Sequence, residues 1–142
     1  MNTPGMTPLS EEGCWEALRS DEYGRLAYLL DGHLQITPVN YAVDGTTLLF
    51  RTAEGSKLLG VQDNPEVVFE IDAHDDKNAR SVIVRGTARV LSLEESHRAE
   101  NVPLRPWLGG RKDHVVEISP VSMSGRWFEL HRPWMQMRID RD

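Results

Sequence analysis

Residues 24–52 read GRLAYLLDGHLQITPVNYAVDGTTLLFRT, and this stretch decides the fold class. Three apolar segments, at 24–30, 33–43 and 46–52, are separated by the dipeptides Asp31-Gly32 and Asp44-Gly45. Asp-Gly between such segments is a strong hairpin signal, because both central residues of a type I′ turn need positive φ. The stretch therefore predicts an antiparallel meander of three strands, in which residues 36–41 pair through the second turn with the strand that ends at Thr52.

Further strands and short helices are predicted around this meander. Helices are expected over 10–20 and 56–61, and a capping box at Ser92 starts a third. Strands are expected at 66–72, 81–91, 114–119 and 126–131, with a polar connection at 73–79. Gly86 within the longest strand indicates a bulge or the close approach of another group. Strands do not alternate with long helices, so we expect a mainly β chain closed into a small antiparallel barrel.

The composition is that of an ordinary globular protein of one domain. Among 142 residues, 16 are Lys or Arg and 22 are Asp or Glu, which gives a formal net charge of −6. A general basic surface is missing, so neither nucleic acid nor an acidic membrane is an expected partner. Cys14 is the only cysteine, which excludes an internal disulfide and fits a reducing compartment. Because the sequence has no signal-peptide pattern and no apolar run of membrane-spanning length, we expect a cytoplasmic protein.

The chain is interpreted as one domain with short extensions. Residues 1–9 are expected to form a flexible lead-in, 10–137 the folded domain and 138–142 a charged tail. The five histidines match no zinc or iron spacing, so no metal site is expected and His74-Asp75-Asp76 is interpreted as a solvated loop. Three tryptophans are interpreted as core or interface residues: Trp107, Trp127 and Trp134.

The segment from Leu48 to Leu58 carries the clearest functional signal, a strand, a tight turn and a helix start. A helix beginning at Ser56 presents backbone N–H donors and the positive end of its dipole, which suit an anion. Arg51 can bind two phosphate oxygens through its planar guanidinium, and Lys57 adds a point charge. Thr52 and Ser56 add hydroxyl groups. The segment predicts a phosphate site, with one alternative left open: Ser56 only caps the helix and the two cations lie in solvent.

The preceding strand carries a second candidate feature, the proline in residues 36–41. A flavin ring needs a flat, mostly apolar wall with backbone groups for its pyrimidine edge, and Pro38 interrupts the pairing of the strand there. An edge strand with a proline kink explains the same residues, so the residues alone leave both interpretations open.

Together these segments resemble the FMN-binding split-barrel family of pyridoxamine 5′-phosphate oxidase-like proteins. The ordered pieces are Gly24–Ala27, Ile36–Tyr41, Leu49–Thr52, Gly55–Leu58 and Ser81–Ala88. The resemblance extends from about Ser10 to Trp127. It implies a six-stranded antiparallel split β-barrel with short helices, which forms a homodimer and holds two FMN molecules at the subunit interface.

The resemblance also implies which residues contact the cofactor. The FMN phosphate would be held by Arg51, Thr52, Ser56 and Lys57. The isoalloxazine ring would lie along Pro38, Val39, Asn40 and Tyr41, with Phe50 as a further contact. From the partner subunit, the cofactor would be reached by Arg126 and Trp127. Arg80 stands where the family often has an aromatic residue, and the C-terminal arginine and histidine that hold pyridoxal are not found, so vitamin B6 oxidation is not expected.

Three functions remain compatible with the sequence. The first is an FMN-dependent oxidoreductase that moves hydride to or from an unknown small molecule. The second uses a deazaflavin, coenzyme F420, whose longer acidic tail would need a wider basic groove including Arg80, Arg85 or Arg126. The third is a non-catalytic flavin-binding or haem-binding module. The sequence contains no obligatory acid or base, and Tyr41 is the nearest candidate proton donor.

Overall fold

The computed structural model describes residues 5–104 and 114–131. Within them, one sheet contains the strands β1 Met6–Pro8, β2 Tyr23–Leu30, β3 His33–Asn40, β4 Ala42–Asp44, β5 Thr47–Thr52, β6 Glu66–His74, β7 Asn78–Val90 and β8 His114–Glu129. The helices are α1 Glu11–Arg19, α2 Ser56–Asp63 and a 3₁₀ helix, Glu95–Asn101. The expected mainly β, antiparallel split barrel is confirmed, although residues 5–104 and 114–131 already contribute eight strands rather than six.

The sheet curls so that its two ends meet. Its strand order is β3-β2-β6-β7-β8-β5-β4, and β1 pairs with the far end of β8. β3 and β4 stand at opposite ends of this order, yet only Tyr41 separates them along the chain. β3 also contacts β5. Residues 38–42 and 49–52 therefore come together, and we call their junction the seam.

Alternation along the strands places one set of side chains inside the curled sheet. Fully buried residues from several strands form this core: Leu26, Phe50, Phe69, Val82, Val84 and Ile118. Leu18 of α1 and Val61 of α2 join the same cluster. α1 and α2 thus close the interior of the barrel and do not cover the outer face of the sheet.

The outer face of the sheet is covered on one half only. The 3₁₀ helix packs Ala99 against Leu49 of β5 and Val115 of β8. The other half, on β3, β2, β6 and the adjoining parts of β7 and β8, has no covering element among the described residues. We call it the bare face, and its aliphatic residues include Ala27, Leu34, Ile36, Val68 and Val121. Leu34 is 81% exposed, Ile36 71% and Val121 77%.

The first predicted turn and the bulge are confirmed, and the second turn is displaced by one residue. Asp31 has φ 51° and Gly32 φ 77°, the backbone conformation that the predicted turn needs. In the second hairpin Asp44 pairs with Thr47, so the central residues are Gly45 and Thr46, and of the predicted Asp44-Gly45 pair only Gly45 has a positive φ, 60°. The pairing of β7 with β8 shifts register immediately before Gly86. A Cβ at Gly86 would lie 2.6 Å from the carbonyl oxygen of Ser119, so only glycine permits this approach.

The predicted three-stranded meander is wrong beyond Asn40. β3 forms its ladder with β2, whereas the strand paired with β5 through the second turn is Ala42–Asp44. The chain bends at Tyr41, whose side chain is 1% exposed and whose backbone N–H donates to the Glu22 carbonyl at 3.0 Å. Burial of this one residue thus redirects the strand.

Three further boundaries differ from the expectations. Residues 73–79 form a hairpin rather than a long connection, because the Asp75 carboxylate accepts the N–H groups of Lys77 and Asn78. The strands expected at 114–119 and 126–131 are one strand, since the serine-rich segment between them pairs with β7. Met6–Pro8, inside the expected lead-in, pairs with β8. The charged tail, Trp107 and Trp134 lie outside the described residues.

Candidate functional site

The turn between β5 and α2 carries the predicted anion site. Arg51 pairs with Val115 across the ladder, and Val115 packs with Leu49 on the outer face of the sheet. Side chains of directly paired residues share a face, so Arg51 also points outward. Arg51 forms no ion pair with any residue that the structure describes. Its guanidinium is therefore available to an external anion beside the seam.

The start of α2 is open to a ligand. Gly55 is the N-cap residue with φ 154°, a conformation that favours glycine, and no side chain caps the first turn. The alternative that Ser56 caps this helix is therefore wrong. Ser56 is exposed, and Lys57 in the same turn is half-buried. Uncapped N–H groups and a cation together make a local environment that suits an oxyanion.

Thr52 and Glu54, which flank this turn, are engaged with other groups of the chain. Thr52 is 2% exposed, and its hydroxyl donates to the Ala53 carbonyl at 3.0 Å. The Glu54 carboxylate is exposed and lies 3.9 Å from His114 Nε2. Arg51, Ser56 and Lys57 therefore make the accessible part of the predicted phosphate set, whereas the Thr52 hydroxyl is engaged within the chain.

The predicted ring wall lies on the other side of the seam. Pro38 is exposed on the outer face, Val39 is buried inward and Asn40 is half-buried. The Asn40 Nδ2 group donates to the Glu22 carbonyl at 3.4 Å. The wall therefore presents Pro38 and Asn40 outward and anchors itself through Val39.

The seam brings this wall towards the anion turn. Ala42, which pairs with Leu49, follows Asn40 by two residues, and Leu49 precedes Arg51 by two residues. The contact between β3 and β5 agrees with this placement. Two segments that the sequence separates by about ten residues thus border one outward-facing surface, a shape that suits a ligand with a flat ring and an anionic tail.

Two predicted contacts are core residues. Phe50 is fully buried, and Tyr41 packs edge-on against Phe69 with ring centroids 4.7 Å apart. The Tyr41 hydroxyl donates to the Leu18 carbonyl at 2.6 Å, and burial raises the pKa of this phenol. Tyr41 is therefore not placed as a proton donor.

Arg126 and Trp127 are distant from the anion turn within this chain. They pair with Ser81 and Arg80, at the opposite end of β8 from the residues that pair with β5. Trp127 is 37% exposed and lines a cavity of about 350 Å³ together with Arg80 and His74. One subunit does not bring these two residues to the site.

Sequence reasoning missed Arg25, the ladder neighbour of Pro38. Arg25 Nη2 lies 2.7 Å from Glu70 Oε1 and also contacts Asp72 Oδ2. Burial, together with the Asp72 carboxyl, raises the pKa of Glu70. A shallow cavity of about 220 Å³ lies beside Arg25, between Pro38 and residues of β2 and β3. No local motif signals this cluster, because its carboxylates are 45 and 47 residues away from Arg25.

Other kinds of site are less well supported. The described ranges contain no group of three His, Cys, Asp or Glu side chains that could hold a metal ion. Nor do they contain a helix of the length and apolar character required to cross a membrane. Cys14 is buried, and burial raises the pKa of its thiol, which disfavours the reactive thiolate.

Comparison with known proteins identifies the family of this chain. The uncharacterized protein Rv3129 of Mycobacterium tuberculosis is 42% identical over 89 residues, 62% of this chain and 81% of that protein. A provisionally assigned pyridoxamine 5′-phosphate oxidase from Corynebacterium glutamicum is 34% identical with a TM-score of 0.79, covering 93% of this chain and 99% of that one. An FAD binding protein from Mycobacterium smegmatis is 38% identical with a TM-score of 0.74, covering 87% and 99%. The family model for pyridoxamine 5′-phosphate oxidase matches residues 10–127, and the chain therefore belongs to this family.

Proposed function

We propose that this chain is an FMN-binding oxidoreductase whose cofactor lies across the outer surface of the seam. One observation carries the proposal: β5, which ends beside Arg51 and leads into the uncapped start of α2, contacts β3, which carries the exposed wall of Pro38 and Asn40. A phosphate would lie at the turn and an isoalloxazine ring along the wall. The flavin-binding relative from M. smegmatis supports a flavin in this fold.

The residues present fit such a cofactor. A phosphate monoester needs cationic and N–H donors, which Arg51, Lys57 and the first turn of α2 supply. The ring needs an apolar wall with backbone polar groups, which Pro38 and its neighbours supply. A bound flavin would contribute hydride acceptance and donation at its N5 atom. The chain itself would bind, orient and partly desolvate that group.

We further propose that the functional unit is a homodimer. The bare face contains a groove of about 400 Å³ lined by aliphatic residues with Arg85 and Glu66 at its edges. Neither of these two side chains forms an ion pair within the part of the chain described here. A second copy related by a twofold axis would cover the aliphatic residues and would set Arg85 against Glu66. It would also let Arg126 and Trp127 of one subunit approach the cofactor of the other.

Other cofactors and roles remain part of the proposal as alternatives. FAD is one, because the M. smegmatis relative binds it. Coenzyme F420 is another. Its longer acidic tail would need a wider basic groove including Arg80, Arg85 or Arg126, and Arg80 and Arg126 lie far from the anion turn within one subunit. A carrier that binds flavin or haem without turnover is the third. A cytoplasmic location is proposed as well, since the single Cys14 is a free, buried thiol.

A binding titration tests the cofactor proposal. Arg51→Ala combined with Lys57→Ala should weaken FMN binding about a hundredfold or more, because two charge-assisted contacts to phosphate are lost. Fluorescence titrations of purified protein with FMN, FAD and coenzyme F420 give the affinities. Lys77→Ala, an exposed lysine in the turn between β6 and β7, is the matched control and should bind like the parent chain.

The outcomes separate the candidates. Tightest binding of FMN supports the proposal as stated, whereas a clear preference for FAD or coenzyme F420 replaces the cofactor. An unchanged affinity in the double variant removes Arg51 and Lys57 from the site. The non-catalytic carrier would be favoured if the protein binds flavin firmly but exchanges no electrons with a nicotinamide cofactor. In that case the bound flavin would neither oxidise the reduced nicotinamide nor reduce the oxidised one.

A further inference from the structure

The cluster of Arg25, Glu70 and Asp72 lies on the outer face beside the wall of the seam. Arg25 pairs with Pro38 on one side and with Glu70 on the other. Arg25, Pro38 and Glu70 therefore share one face of the sheet in adjacent strands. The Arg25 side chain is 36% exposed and borders the 220 Å³ cavity. The cluster thus touches both solvent and the ring wall.

Arg25 is held in one orientation by its carboxylates. Both contacts are made through Nη2, to Glu70 Oε1 and to Asp72 Oδ2. Among the described residues, no hydrogen-bond partner is found for its Nη1 and Nε groups. A guanidinium fixed in this way presents its remaining N–H groups in a set direction, and little side-chain entropy is lost when a ligand accepts them.

The charge of the cluster indicates what kind of ligand it suits. One guanidinium and two carboxylates sum to one net negative charge when both acids are ionised. An anion is therefore disfavoured here, in contrast to the turn at Arg51, where two cations meet an uncapped helix start. The chemistry suits a neutral, flat ring with carbonyl acceptors, which the aliphatic and proline side chains of the cavity can contact.

We propose that Arg25 donates to the carbonyl-bearing pyrimidine edge of the flavin and that Glu70 and Asp72 position it. This assignment rests on the proposed function, since it places the ring along Pro38. The ring and phosphate of one cofactor would thus be recognised by two distinct clusters. Arg25 contacts the cofactor, whereas Glu70 acts through Arg25 and through its own charge.

Riboflavin separates the two clusters, because it has the ring of FMN but no phosphate. Arg25→Gln should weaken the binding of riboflavin and FMN by the same factor, about tenfold or more, since a charge-assisted hydrogen bond to the ring is lost. Arg51→Ala should weaken FMN binding and leave riboflavin binding unchanged. Affinities are measured by quenching of flavin fluorescence, and circular dichroism checks that each variant is folded.

A second measurement detects the charge of the cluster. Glu70→Gln removes one negative charge beside the ring without changing the shape of the side chain. Reduction by two electrons makes the flavin more negative, so this variant should raise the midpoint potential of bound FMN at mildly alkaline pH. The matched control is Glu12→Gln, an exposed glutamate in the first turn of α1, away from Arg25 and from the bare face. It should leave the potential nearly unchanged.

The possible results are distinct. If the parent chain binds neither FMN nor riboflavin, the proposed function itself fails. If the parent binds both and Arg25→Gln binds riboflavin equally well, the role of Arg25 is overturned while the flavin site stands. Should Arg25→Gln fail to fold, the potential of Glu70→Gln decides: a positive shift supports the cluster as a ring contact, and an unchanged potential overturns it.

Discussion

Tyr41 determines how the two ends of the sheet meet. Its ring is buried against Phe69, its hydroxyl bonds the Leu18 carbonyl of α1, and its backbone N–H bonds Glu22. These contacts bend the chain between β3 and β4 and tie the bend to α1. Tyr41, which the sequence suggests as a proton donor, therefore stabilises the bend next to the predicted ring wall.

Tyr41→Phe is expected to lower the free energy of unfolding by about 1–2 kcal/mol, because the Leu18 carbonyl would lose a buried donor. Urea denaturation followed by circular dichroism measures the change. Tyr28→Phe is the matched control: Tyr28 is 5% exposed, but its hydroxyl has no hydrogen-bond partner among the described residues. Equal losses in both variants would contradict a specific role for the Tyr41 hydroxyl.

The 3₁₀ helix is the element attached most strongly by charge. Arg89 of β7 bonds Glu95 at 2.8 Å, and Arg98 of the helix bonds Asp44 at 2.8 Å. Both arginines also contact Glu117 of β8, whose side chain is only 9% exposed. The network fixes the helix over half of the outer face and so defines where the bare face begins.

Glu117→Gln should destabilise the fold by about 2 kcal/mol, because two arginines would lose a nearly buried counter-charge. In hydrogen-exchange measurements, the backbone amides of residues 95–101 should exchange faster in this variant than in the parent chain, and this increase should be larger there than in the rest of the protein. Glu94→Gln, an exposed glutamate next to the helix, is the control and should change stability by less than about 0.5 kcal/mol. Unchanged exchange in the 3₁₀ helix would mean that its apolar contacts alone hold it.

Elements set by local chemistry could be predicted from the sequence, and elements set by distant contacts could not. The Asp31-Gly32 turn, the positive φ of Gly45 and the bulge at Gly86 follow from backbone requirements of single residues. The reciprocal bonds of Ser92 and Glu95, both 3.2 Å, likewise confirm the capping box. The middle of β8 has a loop-like composition and becomes a strand only because β7 is beside it.

The same distinction applies to the site. Arg51 and Lys57 are close in sequence, so the strand, the turn and the helix start that carry them could be predicted locally. Arg25 is recognisable only once the sheet brings Glu70 beside it. Phe50 was expected near the ring, but the strand alternation that buries Leu48 also directs Phe50 inward.

At the scale of the whole molecule, the exposed aliphatic side chains of the bare face would remain in contact with water in a monomer. Leu34→Asp should shift the protein from dimer to monomer, because a carboxylate would be buried among aliphatic residues at the interface. Analytical ultracentrifugation measures the mass. Leu93→Asp provides the control, since Leu93 is 86% exposed beside the 3₁₀ helix, away from the bare face. A parent chain that sediments as a monomer would contradict the proposed dimer.

The position of β8 has a consequence for how the protein is made. This strand pairs with β7 along most of its length, with β5 near its start and with β1 near its end. Until residues 114–129 emerge from the ribosome, three strand edges therefore lack their partner and remain able to pair with other chains. These edges stay open during synthesis until residues 114–129 are available to pair with them. Premature termination before His114 would accordingly yield an aggregation-prone product rather than a smaller stable barrel.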